Sequence, residues 1–150
     1  MVTEEFIRSL ISSAKYIQDN IIWSEAKRNT QYQTFRVDVL TTEGNYFLLI
    51  GHKSTNRKDI ASLALVYNRV FPLARIDKKY HKNPEKVDGL EFRGWHKHIY
   101  DVLWEDKVAI DVSHEFNDNM IPKEFIDQFK KENNMRYIKG KMYQELLYEL

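Results

Sequence analysis

The feature that most constrains this chain is a run of strand signals between residues 35 and 76, separated by turns too short to hold a helix. Phe35, Val37 and Val39 alternate with Arg36 and Asp38, the period of a strand with one buried face. Glu43-Gly44-Asn45 follows, and Gly44 can supply the positive φ of a tight hairpin. Residues 46–50 are apolar on both faces, as in a central strand. A polar turn over residues 54–59 leads into residues 60–67, another strand, although Ala61, Leu63, Ala64 and Leu65 also suit a helix. Residues 71–76 form a further strand in which Pro72 points to an edge or a bulge.

Helical spacing is confined to the two ends. Thr3 can cap a first helix, Glu4 and Glu5 suit its positive end, and Phe6, Leu10, Ile11, Ala14, Ile17 and Ile21 make its apolar stripe. The stripe leaves its end open, between about residues 18 and 28; Asn20 is one stop, with residues 21–26 as a first strand. Near the other end, Pro122 fits a first helical turn, Phe125, Ile126 and Phe129 form a stripe, and Asn133-Asn134 ends it. Residues 137–150, with Ile138, Met142 and Leu146, form a last helix or strand. The expected fold is α+β: a curved antiparallel sheet of about six to seven strands, with an N-terminal helix and C-terminal helices.

The size of 150 residues suits one domain, and a hydrophobic share of 43% with 13% aromatics is that of a packed core. The chain has no cysteine, which excludes a disulfide scaffold, a thiol nucleophile and a thiolate metal site. Met-Val-Thr-Glu-Glu at the start lacks the charge and apolar run of a secretion signal, and no apolar run nears membrane-spanning length. A cytoplasmic location without membrane association is therefore expected. A net charge of +1 sets no strong field, so any polyanion binding must come from a local patch.

The candidate patch is Trp95-His96-Lys97-His98-Ile99-Tyr100. Residues two apart on a strand share a face, so His96, His98 and Tyr100 point one way and Trp95, Ile99 and Leu103 the other. If residues 95–104 and 107–113 form a hairpin with Glu105-Asp106 as a two-residue turn, Tyr100 pairs with Asp111 and His98 with Ser113. That register places Ile99, Leu103, Val108, Ile110 and Val112 on an apolar face, and His96, His98, Tyr100, Asp111 and Ser113 on a polar one.

Three readings fit the polar face. It is a solvated surface without function; or two imidazoles do acid–base work on a phosphodiester, as in a metal-independent ribonuclease; or it is a metal site completed by Asp111, His81 or His114. In the second reading His96 and His98 are the acid and base, Asp111 orients His98, and Arg75, Lys78 or Arg93 stabilises charge on the phosphate. No metal-binding spacing motif such as His-Glu-x-x-His occurs, and the sequence calls for no cofactor. Beside the face, residues 78–94 make one long irregular stretch with Asn83-Pro84, Asp88-Gly89 and Gly94. Loops of that length are often functional. Lys78, Lys79, His81, Lys82, Arg93 and Trp95, with Tyr80 and Phe92 interleaved, form a locally basic binding surface that suits RNA or an ordinary solvated loop. Glycine-rich phosphate loops, nucleophile elbows and dinucleotide fingerprints do not occur.

Three segments carry a resemblance: Ala74-Arg75-Ile76-Asp77, His81-Lys82-Asn83-Pro84 and His96-Lys97-His98-Ile99-Tyr100. Together they resemble a group of small uncharacterised bacterial proteins with Arg-x-Asp, His-x-Asn-Pro and His-x-His-x-Tyr motifs after an N-terminal helix. The resemblance implies one constellation of Arg75, Asp77, His81, His96, His98 and Tyr100, and implies no activity. Residues 85–94 and the strand Ala109-Ile110-Asp111 depart from the pattern. The expectation is a small bacterial or phage-type protein that binds or cleaves RNA through the His-x-His face, with Arg75 and Tyr100 positioning phosphate. The alternative is a non-catalytic module that binds a partner protein, such as a toxin–antitoxin or defence-system component.

Overall fold

In a computed structural model, which describes residues 2–145, the chain is α+β with two helices and one dominant sheet. Helix α1 (Glu4–Ser12) is capped by the Thr3 hydroxyl, which accepts from the Phe6 N–H at 3.1 Å. Strands β1 (Lys15–Ile17), β2 (Ile21–Ile22) and β3 (Ser24–Ala26) follow, then β4 (Asn29–Thr41), β5 (Tyr46–Ser54), β6 (Ala61–Tyr67) and β7 (Phe71–Asp77). Beyond them lie β8 (His81–Lys82), β9 (Glu91–Phe92), β10 (His96–Ile99), β11 (Ala109–Asp111), α2 (Pro122–Glu132), β12 (Met135–Tyr137) and β13 (Tyr143–Gln144). No helix of the described residues is long and apolar enough to cross a membrane.

The main sheet has nine strands in the order β11-β10-β7-β6-β5-β4-β1-β12, with β3 also on β4. It is larger than the six to seven strands expected. It is also mixed, because β12 runs parallel to β1. The first helix stops at Ser12, so Ile17 and Ile21 of the expected stripe are buried strand residues. A three-residue strand cannot show its period against a preceding helix, and the two periods merge in the sequence. Gly44 has φ +90° at the β4–β5 hairpin, and Pro72 sits where the β6–β7 register shifts, at a bulge. The α2 stripe Phe125, Ile126 and Phe129 is buried, and Asn134 leaves the helix with φ +52°. Residues 135–145 hold short strands rather than a further helix, and Leu146 lies outside the described residues.

Cross-strand register sorts the sheet into two faces, since directly opposed residues point the same way. Phe35, Gly51, Leu63, Ile76 and Lys97 make one row on the face covered by the helices. A Cβ at Gly51 would lie 2.0 Å from the Phe35 ring, so the glycine is what lets that ring lie flat on β5. Trp95 packs on Phe125 at 5.1 Å and Phe6 on Tyr67 at 5.5 Å, placing both helices on this side. The opposite face carries the row Thr34, His52, Ser62, Asp77, His96 and Asp111, with Arg36, Ile50, Ala64, Arg75, His98 and Ala109 beside it.

Candidate metal centre

His96 and His98 belong to that second face, which at the β10–β11 edge is roofed by residues 78–94. The β8–β9 pair gives this segment its backbone, with His81 opposite Phe92. Asn83 then fastens it: its side-chain N–H donates to the Ala109 carbonyl at 2.9 Å, and its carbonyl oxygen accepts from the Ala109 N–H at 2.7 Å. One amide side chain thus reproduces the two hydrogen bonds of a strand neighbour along β11. The sheet is extended without a further strand, and Asn83 is buried.

Under the roof, the reading of this face as a solvated surface does not hold at His96 and His98. His96 and His98 are each only 1% exposed, while Ile99, Ile110 and Leu103, expected on the apolar face, are 37%, 49% and 75% exposed. Ile99 and Ile110 do lie on the helix side of the sheet, but at its edge, and Lys97, directly opposite Ile110, reaches Glu132 of α2 at 3.3 Å. Val112 alone of the five is fully buried, just past β11.

The hairpin register also differs. Asp111 faces His96 and Ala109 faces His98, a shift of four residues from the expected pairing. The Asp101 carboxylate accepts from the Leu103 and Trp104 N–H groups, and Asp101 bridges to Glu105, whose φ is +57°. A wider turn centred there replaces the two-residue turn at Glu105-Asp106. Because four is even, the faces of His96, His98 and Asp111 survive the shift.

The structure brings His81, His96 and His98 together. One ring nitrogen from each lies within 4.8 Å of the others. The rings of His81 and His98 meet edge to face at 4.6 Å, those of His96 and His98 at 5.0 Å, and His81 stacks along His96 at 5.5 Å. Their tautomers follow from their partners. His98 Nδ1 donates to the Asp106 carbonyl at 2.6 Å, and His96 Nδ1 to the Gly94 carbonyl at 3.0 Å. His81 Nε2 lies 3.0 Å from the Asn83 side-chain oxygen, whose identity as an oxygen is set by Ala109 on both prongs, so Nε2 carries the hydrogen. Each ring has one nitrogen committed as a donor and a lone pair left on the other. That of His98, on Nε2, is buried with no hydrogen-bond partner.

Burial favours the neutral form of His96 and His98. Burial, then the Arg75 guanidinium and the neighbouring imidazoles, push His98 down to about 3. Burial likewise lowers His96, against a smaller upward pull from the Gly94 carbonyl and Asp77. Arg75 stands directly opposite His98 and Asp77 opposite His96. Arg75 is bonded to Asp77 at 2.9 Å and lies 3.5 Å from Asp106.

Other expected members fall elsewhere. Tyr100 stacks on Phe71 at 4.1 Å, beyond the end of β10 and away from the imidazoles. Asp111 shares the His96 row but is exposed and bonded to Ser113, so it does not orient His98, a role the Asp106 carbonyl takes. His114 is exposed and outside the cluster, which leaves His81 as the third imidazole. Lys78 is buried on the far side, donating to the Lys58 and Asp118 carbonyls and lying over the Trp95 ring. Trp95 is core, against Phe116 and Phe125. Lys82 pairs with Glu85, Arg93 lies over Tyr80, and Lys79 is exposed. Sequence reasoning missed the fastening role of Asn83 and the carbonyls of Gly94 and Asp106. Asn-Pro signals a turn and carries no hint of a partner 26 residues away, and backbone acceptors leave no mark in a sequence.

A three-imidazole cluster under a roof at the edge of an open, mostly antiparallel sheet defines the class: an α+β domain with a histidine centre. The chain belongs to the family of unknown function DUF6978, which it matches over residues 2–135, a span that includes all three histidines. No curated protein and no solved structure matches it.

Proposed function

We propose that the protein binds a zinc-class divalent ion through His81, His96 and His98. The observation that carries this reading is the set of three converging imidazoles, each with one nitrogen held by an oxygen acceptor and the other turned to the cluster. Metal-bound histidines are oriented in this way, by a carbonyl or carboxylate on the non-ligating nitrogen. Three imidazoles suit zinc and its neighbours, and leave a fourth position for an exogenous ligand. The unpartnered His98 Nε2 supports the same reading. A buried acceptor without a partner costs about 1–3 kcal/mol, which a metal ion would recover.

Acid–base cleavage of RNA by His96 and His98 is less well supported by this arrangement. A general acid must carry a proton near neutral pH, and burial disfavours the charged form of both rings. An action on RNA would then run through the metal ion. The test is zinc titration of the metal-stripped protein by calorimetry, with metal content measured after dialysis. Wild type and His114→Ala should each take up one equivalent. His81→Ala, at the least buried of the three positions, and His98→Ala should take up none. Equal uptake by wild type and His81→Ala would remove the reading.

A further inference from the structure

We infer that the fourth position of this centre takes a phosphate-class oxyanion held by Arg75, an inference that rests on the metal reading above. Three neutral imidazoles bring no charge to offset a divalent ion. Arg75 and Asp77 are the charged side chains that act on His96 and His98, Arg75 draws Asp106 in beside Asp77, and Asp111, across from His96, is exposed and turned to Ser113. The ion and Arg75 outweigh the two carboxylates, so an anion is the ligand that balances the site. Arg75 faces His98 across the β7–β10 ladder, and its side chain is 27% exposed, so it stands at the rim rather than inside. Its planar fork has five N–H donors and two carboxylate neighbours, which leaves donors for a bidentate contact with two phosphate oxygens.

The floor beyond Arg75 favours an ester over a bare ion. Ser62 faces Asp77 and Ala64 faces Arg75 in the next strand, and both are small and half-buried. One strand further, His52 faces Ser62 and stacks on Tyr32 at 4.9 Å. The open side of the sheet therefore runs from the metal centre over two small residues to a flat aromatic pair. A phosphate ester bound at the metal could lay its organic part along that path, and a nucleotide unit would end against Tyr32 and His52.

The experiment uses the full chain loaded with Co²⁺, whose visible absorption reports changes at the fourth position. Inorganic phosphate and a dinucleoside monophosphate are titrated separately. Both should shift the spectrum of the wild type. Arg75→Gln should bind Co²⁺ with unchanged stoichiometry yet weaken both anions about tenfold or more. Ser62→Phe should weaken the dinucleoside monophosphate and spare inorganic phosphate. Binding of inorganic phosphate alone would keep the oxyanion and remove the ester. A Co²⁺ spectrum that neither anion moves, or that responds equally in Arg75→Gln, overturns the inference while leaving the metal reading intact. Failure to bind Co²⁺ at all removes both.

Discussion

Lys15 is the residue on which the two helices close. Its side chain is fully buried, and the ammonium donates to the Ile11, Ser13 and Asn133 carbonyls at 2.8, 2.9 and 2.7 Å. Ser13 and Asn133 are the C-caps of α1 and α2, so one cation satisfies the carbonyl ends of both helices, where the helix dipole favours positive charge. Lys15→Met would orphan three acceptors and should cost about 2–3 kcal/mol at pH 7 in urea unfolding. The pH dependence reports what burying the ammonium costs. Burial pulls the ammonium down from 10.5 to about 8. Between those values the unfolded chain binds the extra proton, so stability rises with pH across the window, and the full desolvation penalty stands below about 8. From pH 7.5 to 9.5 the wild type should gain about 2 kcal/mol relative to Lys15→Met; a constant difference between the two would count against this origin. None of this is legible in the sequence, where Lys15 reads as a polar break in a helical stripe. The three carbonyls it serves are brought together only by the fold.

At the scale of elements, the segment of residues 78–94 decides whether β10 presents a wet face or a dry site. The alternation of His96 and His98 was readable from period two, and so was their shared face. Their burial was not, because the roof is made of polar and turn residues that give no apolar signal. Ile99 and Ile110 misled in the opposite sense: they have core chemistry at a sheet edge that the helices leave partly exposed. Asn83 is the fastening that makes the roof part of the sheet. Asn83→Ala removes the partners of both Ala109 backbone groups and the acceptor for His81 Nε2. Metal affinity should fall about 10–100-fold, because His81 loses its fixed tautomer and orientation. Amide exchange should rise across β8 and β9 while β5 and β6 keep their protection. Unchanged affinity with a loosened roof would show that His81 holds its place without Asn83.

For the whole molecule, the sheet and the centre are stabilised from opposite ends. Through β1 and β12 the N- and C-terminal portions close one edge, with Lys15 opposite Met135, while the histidine centre closes the other, where β11 is only three residues long. An edge strand that short has few ladder hydrogen bonds of its own, and the roof is joined to it mainly through one asparagine. An ion bridging His81 of the roof to His96 and His98 of β10 would bind the folded state far better than the unfolded one. At free Zn²⁺ a hundredfold above its dissociation constant, mass action adds about 2.7 kcal/mol. For a domain of this size that is a rise of about 5–10 °C in the unfolding midpoint. The rise should vanish in His81→Ala and persist in His114→Ala, measured by circular dichroism with and without chelator. His81→Ala discriminates sharply, because its own side chain is partly exposed and its loss leaves the core packing in place. A wild-type midpoint that zinc leaves unmoved would mean that the three lone pairs, although converging, do not hold an ion tightly enough to stabilise this edge.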